Sequence, residues 1–114
     1  MTNFSHGREA EAAAAQFLIQ NGYKILSQNW RTRHCEIDIV AIKKRTIYFI
    51  EVKYRQNAAQ GSGLEYVTPK KLKQMELAAR FWAADNNFRG NYQLSAIEVS
   101  GPKYDVTEFI ENCG

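Results

Sequence analysis

Polar and apolar positions along this chain change period several times, and each change marks an element. From about His6 to Asn21, an alanine-rich stretch repeats with helical spacing; Ser5 is placed to cap its start and Asn21-Gly22 to stop it. Glu11 shares one face of that helix with Ala14, Ala15 and Leu18, so a carboxylate lies on the stripe that should meet the core. Tyr23 to Trp30 reads as a strand and Arg31-Thr32-Arg33-His34 as a basic turn. Glu36 to Ile42 is a second strand, closed by Lys43-Lys44-Arg45-Thr46. The third, Ile47 to Arg55, is apolar on both faces over its first half, as a central strand covered by helices would be. Gln56 to Val67 has the composition of a mobile loop suited to covering a substrate. Thr68-Pro69 then starts a helix that runs to about Asp85, with Leu72, Met75, Ala79 and Trp82 as its core stripe and Lys71 at the stripe's edge. Tyr92 to Val99 and Tyr104 to Ile110 are two further strands around the turn Gly101-Pro102. The pattern predicts an α/β fold in one domain, residues 1–114, with a mixed central sheet of about five strands flanked by helices.

The acids and the lysine in the central strands break this pattern. Glu36-Ile37-Asp38 and Glu51-Val52-Lys53 place charge where core belongs, which is costly unless the charges are paired or bind a metal. A tight hairpin with Ile42 opposite Ile47 would set Asp38 opposite Glu51 and Glu36 opposite Lys53, all four on one face of the sheet. Facing Cβ atoms are about 4.5–5.5 Å apart, close enough for two carboxylates to reach one ion. Oxygen-only ligands favour Mg²⁺ or Mn²⁺ over zinc. An ion cluster at a strand edge, without metal, is the competing reading, and Glu36 serves equally as a cross-strand partner of Lys53 or as part of the chemistry.

Composition narrows the classes. With 45% hydrophobic and 24% charged residues, and no apolar run near the roughly 18 residues of a membrane span, a soluble cytoplasmic protein is expected. Cys35 and Cys113 are expected as reduced thiols, too isolated for a zinc site. Net charge is only +3, but residues 24–73 hold eleven Lys and Arg against four acids. Arg31, Arg33, Arg55, Lys70, Lys71 and Lys73 are therefore candidates for binding nucleic acid, with a solvated rim as the plain alternative. Trp30, Tyr54, Phe81 and Trp82 are expected mostly in the core, with Tyr54 and Tyr66 as candidates for stacking on an unpaired base.

Taken together, the helix with its inward Glu11, Asp38 on one strand and Glu51-Val52-Lys53 on the next resemble the PD-(D/E)xK nuclease superfamily. The chain is similar in particular to the YraN family of small bacterial endonuclease-like proteins, itself similar to archaeal Holliday junction resolvases. That likeness rests on Glu11 with its small and apolar followers, Gly22-Tyr23, Asn29-Trp30-Arg31, Glu36-Ile37-Asp38, Glu51-Val52-Lys53-Tyr54-Arg55 and Lys71. Cys35 stands where the family usually has Gly, and Ser95 where it usually has Asp.

The resemblance implies a restriction-endonuclease-like core and a Mg²⁺- or Mn²⁺-dependent nuclease acting on DNA, on branched or repair and recombination intermediates. Asp38 and Glu51 would hold the metal with the Val52 carbonyl, and Glu11 would act directly or through water. Lys53 would handle the nucleophile, supported by Glu36 and Lys71. A nucleic-acid-binding module of a larger assembly, with little or no hydrolysis, is the alternative; a homodimer or a repair assembly is the expected setting.

Overall fold

Two helices and five strands form among residues 3–56 and 67–114, which the computed structural model describes. They are α1 (Asn3–Gln20), β1 (Lys24–Arg31), β2 (Glu36–Lys43), β3 (Thr46–Arg55), α2 (Pro69–Asp85), β4 (Tyr92–Ser100) and β5 (Asp105–Ile110). The helix α1 begins before His6, because nothing in Asn3-Phe4-Ser5 breaks a helix, so Ser5 lies inside it and does not cap it. Its other end is as the sequence implies. Gly22 at φ +90° lets Tyr23 N–H reach Leu18 O (2.9 Å) and Gly22 N–H reach Ile19 O (3.1 Å), closing the helix with a Schellman motif. Of the loop from Gln56 to Val67, residues 57–66, Tyr66 among them, lie outside the described residues.

The sheet is mixed, in the order β1-β2-β3-β4-β5. Neighbours are antiparallel except β3 and β4, which run parallel because α2 carries the chain back across the sheet between them. Alternation along the central strand divides the core in two. Tyr48 and Ile50 pack with Ala10, Ala14 and Leu18 of α1; Ile47 and Phe49 pack with Met75, Ala79 and Trp82 of α2. The small residues of α1 let that helix lie close on the sheet, while α2 fills its side with larger rings, Phe49 meeting Trp82 edge to face at 5.5 Å. This is the α/β, five-stranded architecture expected, and it is consistent with a restriction-endonuclease-like core. No helix among the described residues is long and apolar enough to cross a membrane.

The start of α2 positions Lys71. Thr68 has extended backbone, its Oγ1 accepts from Lys71 N–H at 3.1 Å, and Pro69 occupies the first turn. Thr68→Ala is expected to lower stability by about 1 kcal/mol in chemical denaturation, leaving the denaturant slope unchanged. No change in midpoint would mean that the cap is dispensable.

Candidate active site

The β2–β3 hairpin has the register its turn implies, from Lys43 opposite Thr46 to Ile39 opposite Ile50, and the regular pairing stops there. Just beyond, β2 loses its alternation. Ile37 belongs to the core layer under α2 and Ile39 to the layer under α1, although they are two residues apart and should share a face. Asn29 of β1, between the partners of Ile37 and Ile39, has φ +55°, so the irregularity involves both strands. The expectation that Glu36, Asp38, Glu51 and Lys53 share one face is corrected by this kink. Asp38 turns to the α1 side, whereas Glu51 engages Lys71 on α2.

Each acid has a defined setting. Asp38 accepts a hydrogen bond from Val52 N–H at 2.8 Å, its side chain taking a donor of β3 where the ladder has ended. Glu11 of α1 lies near both Asp38 and Asn29. Burial first, then the charge of Glu51, push the Asp38 carboxyl up to about 7, with Glu11 and Glu36 adding to the effect and the Val52 N–H opposing it. Burial also raises Glu11, opposed by the polar side chains of Asn29 and Asp38. On the far side of the split, Lys71 Nζ lies 2.9 Å from Glu51 Oε2.

Glu11, Asp38 and Glu51 are thus neighbours drawn from α1, β2 and β3. Among the described residues, however, no three His, Cys, Asp or Glu side chains converge as a ready-made metal cage. Glu51 is instead paired with the Lys71 ammonium on the α2 side. An all-oxygen donor set of this kind fits a hard ion. Val52 is half-buried beside them, and Lys53 is exposed two residues along β3 from Glu51.

The remaining expected residues divide. Glu36 stands opposite Arg31 on β1, 3.9 Å from its guanidinium with both side chains exposed; the register that would set it opposite Lys53 does not extend that far. Arg33, Lys70 and Lys73 are exposed. Arg55, expected in the nucleic-acid footprint, instead pairs at 2.5 Å with Glu98, a nearly buried residue of β4. Tyr54 is not free to stack: its hydroxyl donates to Gly101 O at 3.0 Å and its ring rests on Tyr104. Phe81, expected in the core, is 46% exposed. Ser95 is fully buried and donates to Glu111 O at 2.5 Å, so it tethers the C-terminal segment. Cys35 packs against the α2-side core and contacts Thr32 across a turn; both cysteines are free thiols. Asn29 was absent from the expected site. Its signal was available, since Asn is one of the few residues other than Gly that readily take positive φ within a strand's irregularity.

Comparison with known proteins places this arrangement in context. The model of the uncharacterised protein family UPF0102 matches residues 10–108. A UPF0102 protein of Thermotoga maritima is 40% identical over 107 residues, which cover 90% of this chain and 94% of the relative. One from Cytophaga hutchinsonii is 34% identical over 106 residues, 93% of this chain and 94% of the relative. One from Chlorobium phaeobacteroides is 52% identical over 73 residues, 64% of this chain and 58% of the relative, so the match spans less than two thirds of that protein's length. These names state a family and no activity.

Proposed function

We propose, from the premise that this chain belongs to the uncharacterised protein family UPF0102, that it is a Mg²⁺- or Mn²⁺-dependent nuclease hydrolysing phosphodiester bonds of DNA. The observation that carries the reading is the partly buried Asp38 at the parting of β2 and β3, its carboxyl raised to about 7 by burial and by the nearby charges of Glu51, Glu11 and Glu36. Carboxylates held near one another at such a cost to their ionisation favour a site for a cation.

Asp38 and Glu51 would hold the metal, with Glu11 and the Val52 carbonyl completing the shell. When bound, the ion would lower the pKa of a water molecule and offset charge developing on the phosphate. The protein's own residues do the rest. Val52 N–H fixes one oxygen of Asp38, Glu11 lies near Asn29 and Asp38, and Lys71 neutralises Glu51 until a cation displaces it. Lys53 extends from the same strand as Glu51, where an ammonium can orient the attacking water or stabilise the charged transition state. Exposed Arg31, Arg33, Lys70 and Lys73 supply backbone contacts that read charge and shape, not sequence.

The test is cleavage of duplex, single-stranded, flapped and four-way DNA in Mg²⁺ or Mn²⁺, beside Glu51→Gln and Lys53→Ala. Wild-type cleavage is expected to exceed that of either variant by about 10²-fold or more. Wild-type protein no more active than the variants, yet binding DNA, would replace this reading with the second one, a binding module of a larger assembly. The Lys71–Glu51 pair favours that alternative, since it already neutralises one of the acids.

A further inference from the structure

Beside the acids, the flank of α2 carries a feature that the proposed hydrolysis does not use. Lys70, Gln74, Leu77 and Phe81 follow one another at spacings of four, three and four, forming a stripe next to the helix's core stripe. Leu77 is 50% exposed and Phe81 46%, large apolar side chains on a helix whose neighbouring stripe is buried. Two cavities run along this stripe. One, of about 260 Å³, is lined by Glu51 and Lys71 of the candidate active site and by Cys35, Gln74 and Leu77. The other, of about 410 Å³, is lined by Phe81, Trp30, Arg31 and Thr32, with Asp85 at its far end. They follow one another along the helix, Leu77 lining one and Phe81, a turn further on, the other, with Cys35 and Thr32 of one turn opposite them and Thr32 N–H donating to Cys35 O at 2.8 Å. The groove therefore runs from Lys71 to Phe81, about 15 Å along the helix axis at 1.5 Å per residue.

We infer that this groove binds unpaired nucleotides, with a base stacked on Phe81 beside Trp30 and the phosphates held by the basic rim. The inference rests on the nuclease reading and names its substrate class: single-stranded DNA, or the unpaired segment of a branched molecule. The chemistry of the walls selects this occupant. An exposed aromatic ring in a recess offers a face to any base that is out of a stack, and duplex DNA has none to offer without extruding one. Lys71 lines the first cavity beside Glu36 and Glu51, Arg31 lines the second, and Arg33, Lys70 and Lys73 are exposed on the same turn and helix, whereas the core of a protein–protein interface is depleted of charge. Asp85 repels phosphate, and so marks the end at which the strand leaves the groove.

The test measures binding without metal, so that it is independent of cleavage. Fluorescence anisotropy with a labelled oligothymidylate and with a blunt duplex, both in EDTA, compares wild type, Phe81→Ala and Phe81→Tyr. Phe81→Ala is expected to weaken single-strand binding about tenfold with duplex binding changed less than about twofold, and Phe81→Tyr to restore it. Tryptophan fluorescence should fall when the oligothymidylate binds wild type, and a Trp30→Phe variant should lose that response. Equal single-strand affinity in Phe81→Ala and wild type would overturn the groove while leaving the nuclease reading intact. Equal losses for single strand and duplex would also overturn it, as would a Phe81→Ala variant that abolishes self-association and binds the oligonucleotide normally. Failure of wild type to bind any nucleic acid would overturn the nuclease reading itself.

Discussion

Replacing Asp38 by Asn is expected to abolish metal-dependent cleavage, by about 10³-fold or more, and at the same time to stabilise the metal-free protein above neutral pH. The two effects have one cause. In the folded chain the Asp38 carboxyl is raised to about 7, from an ordinary value of 3.8, so between those values the folded state holds a proton that the unfolded chain has released. Folding stability must then fall as pH rises through that window. At about 1.36 kcal/mol per factor of ten in proton affinity, the loss has an upper bound of roughly 4 kcal/mol. Asparagine avoids it while keeping the strand contact: its Oδ1 can accept from Val52 N–H as Asp38 does, and its amide does not titrate. Denaturation in EDTA should show wild type losing stability from pH 5 to pH 8 and Asp38→Asn losing less, ending about 2 kcal/mol the more stable. Added Mn²⁺ should stabilise wild type and leave the variant nearly unaffected. Parallel pH profiles for the two proteins would remove Asp38 as the origin of the effect, and normal cleavage by the variant would remove it from the site.

Removing Glu98 should produce the largest change in folding stability. Its carboxylate receives Arg55 Nε at 2.5 Å and the Thr107 hydroxyl at 2.9 Å, with 18% of the Arg55 side chain and 7% of the Glu98 side chain exposed. Glu98→Ala strips a guanidinium largely withdrawn from water of this carboxylate, for which about 3–5 kcal/mol is expected in urea denaturation. A joint change of Arg55 to Met and Glu98 to Leu should recover most of that loss, because apolar residues of similar volume can replace a buried ion pair with little cost. A double variant as unstable as Glu98→Ala would mean that packing, not the stranded charge, sets the penalty. Both residues lie where the end of β3 meets β4, Lys53 standing opposite Glu98, so the pair also holds the strand that carries Glu51 and Lys53.

Most of the element order follows from local rules. Gly22 at a helix end, Thr68-Pro69 at a helix start and the short turn between Ile42 and Ile47 act over a few residues, so the strand and helix limits were legible to within a few positions. The hairpin register was legible for the same reason: a turn of fixed length sets the pairing that follows it. Family membership was legible as well, since it depends on residue types at given spacings.

The arrangement of the acids was not legible, because three separate parts of the chain fix it. Strict alternation along β2 would have kept Asp38 and Glu51 on one face, but the positive φ of Asn29 and the loss of alternation at Asp38 divide them between the two layers. Arg55 turns to Glu98 across a parallel pairing more than forty residues long in sequence, and no local pattern reveals that choice. Phe81 was assigned to the core on its apolar character, yet its stripe of α2 lies beyond the layer that the sheet can cover. Charge in apolar strands thus marked Asp38 and Glu51 from the sequence as a candidate site. Which groups face one another there depends on how β1, β2, β3 and the two helices meet, since pairing, burial and proton affinity belong to the assembled fold and not to any one segment.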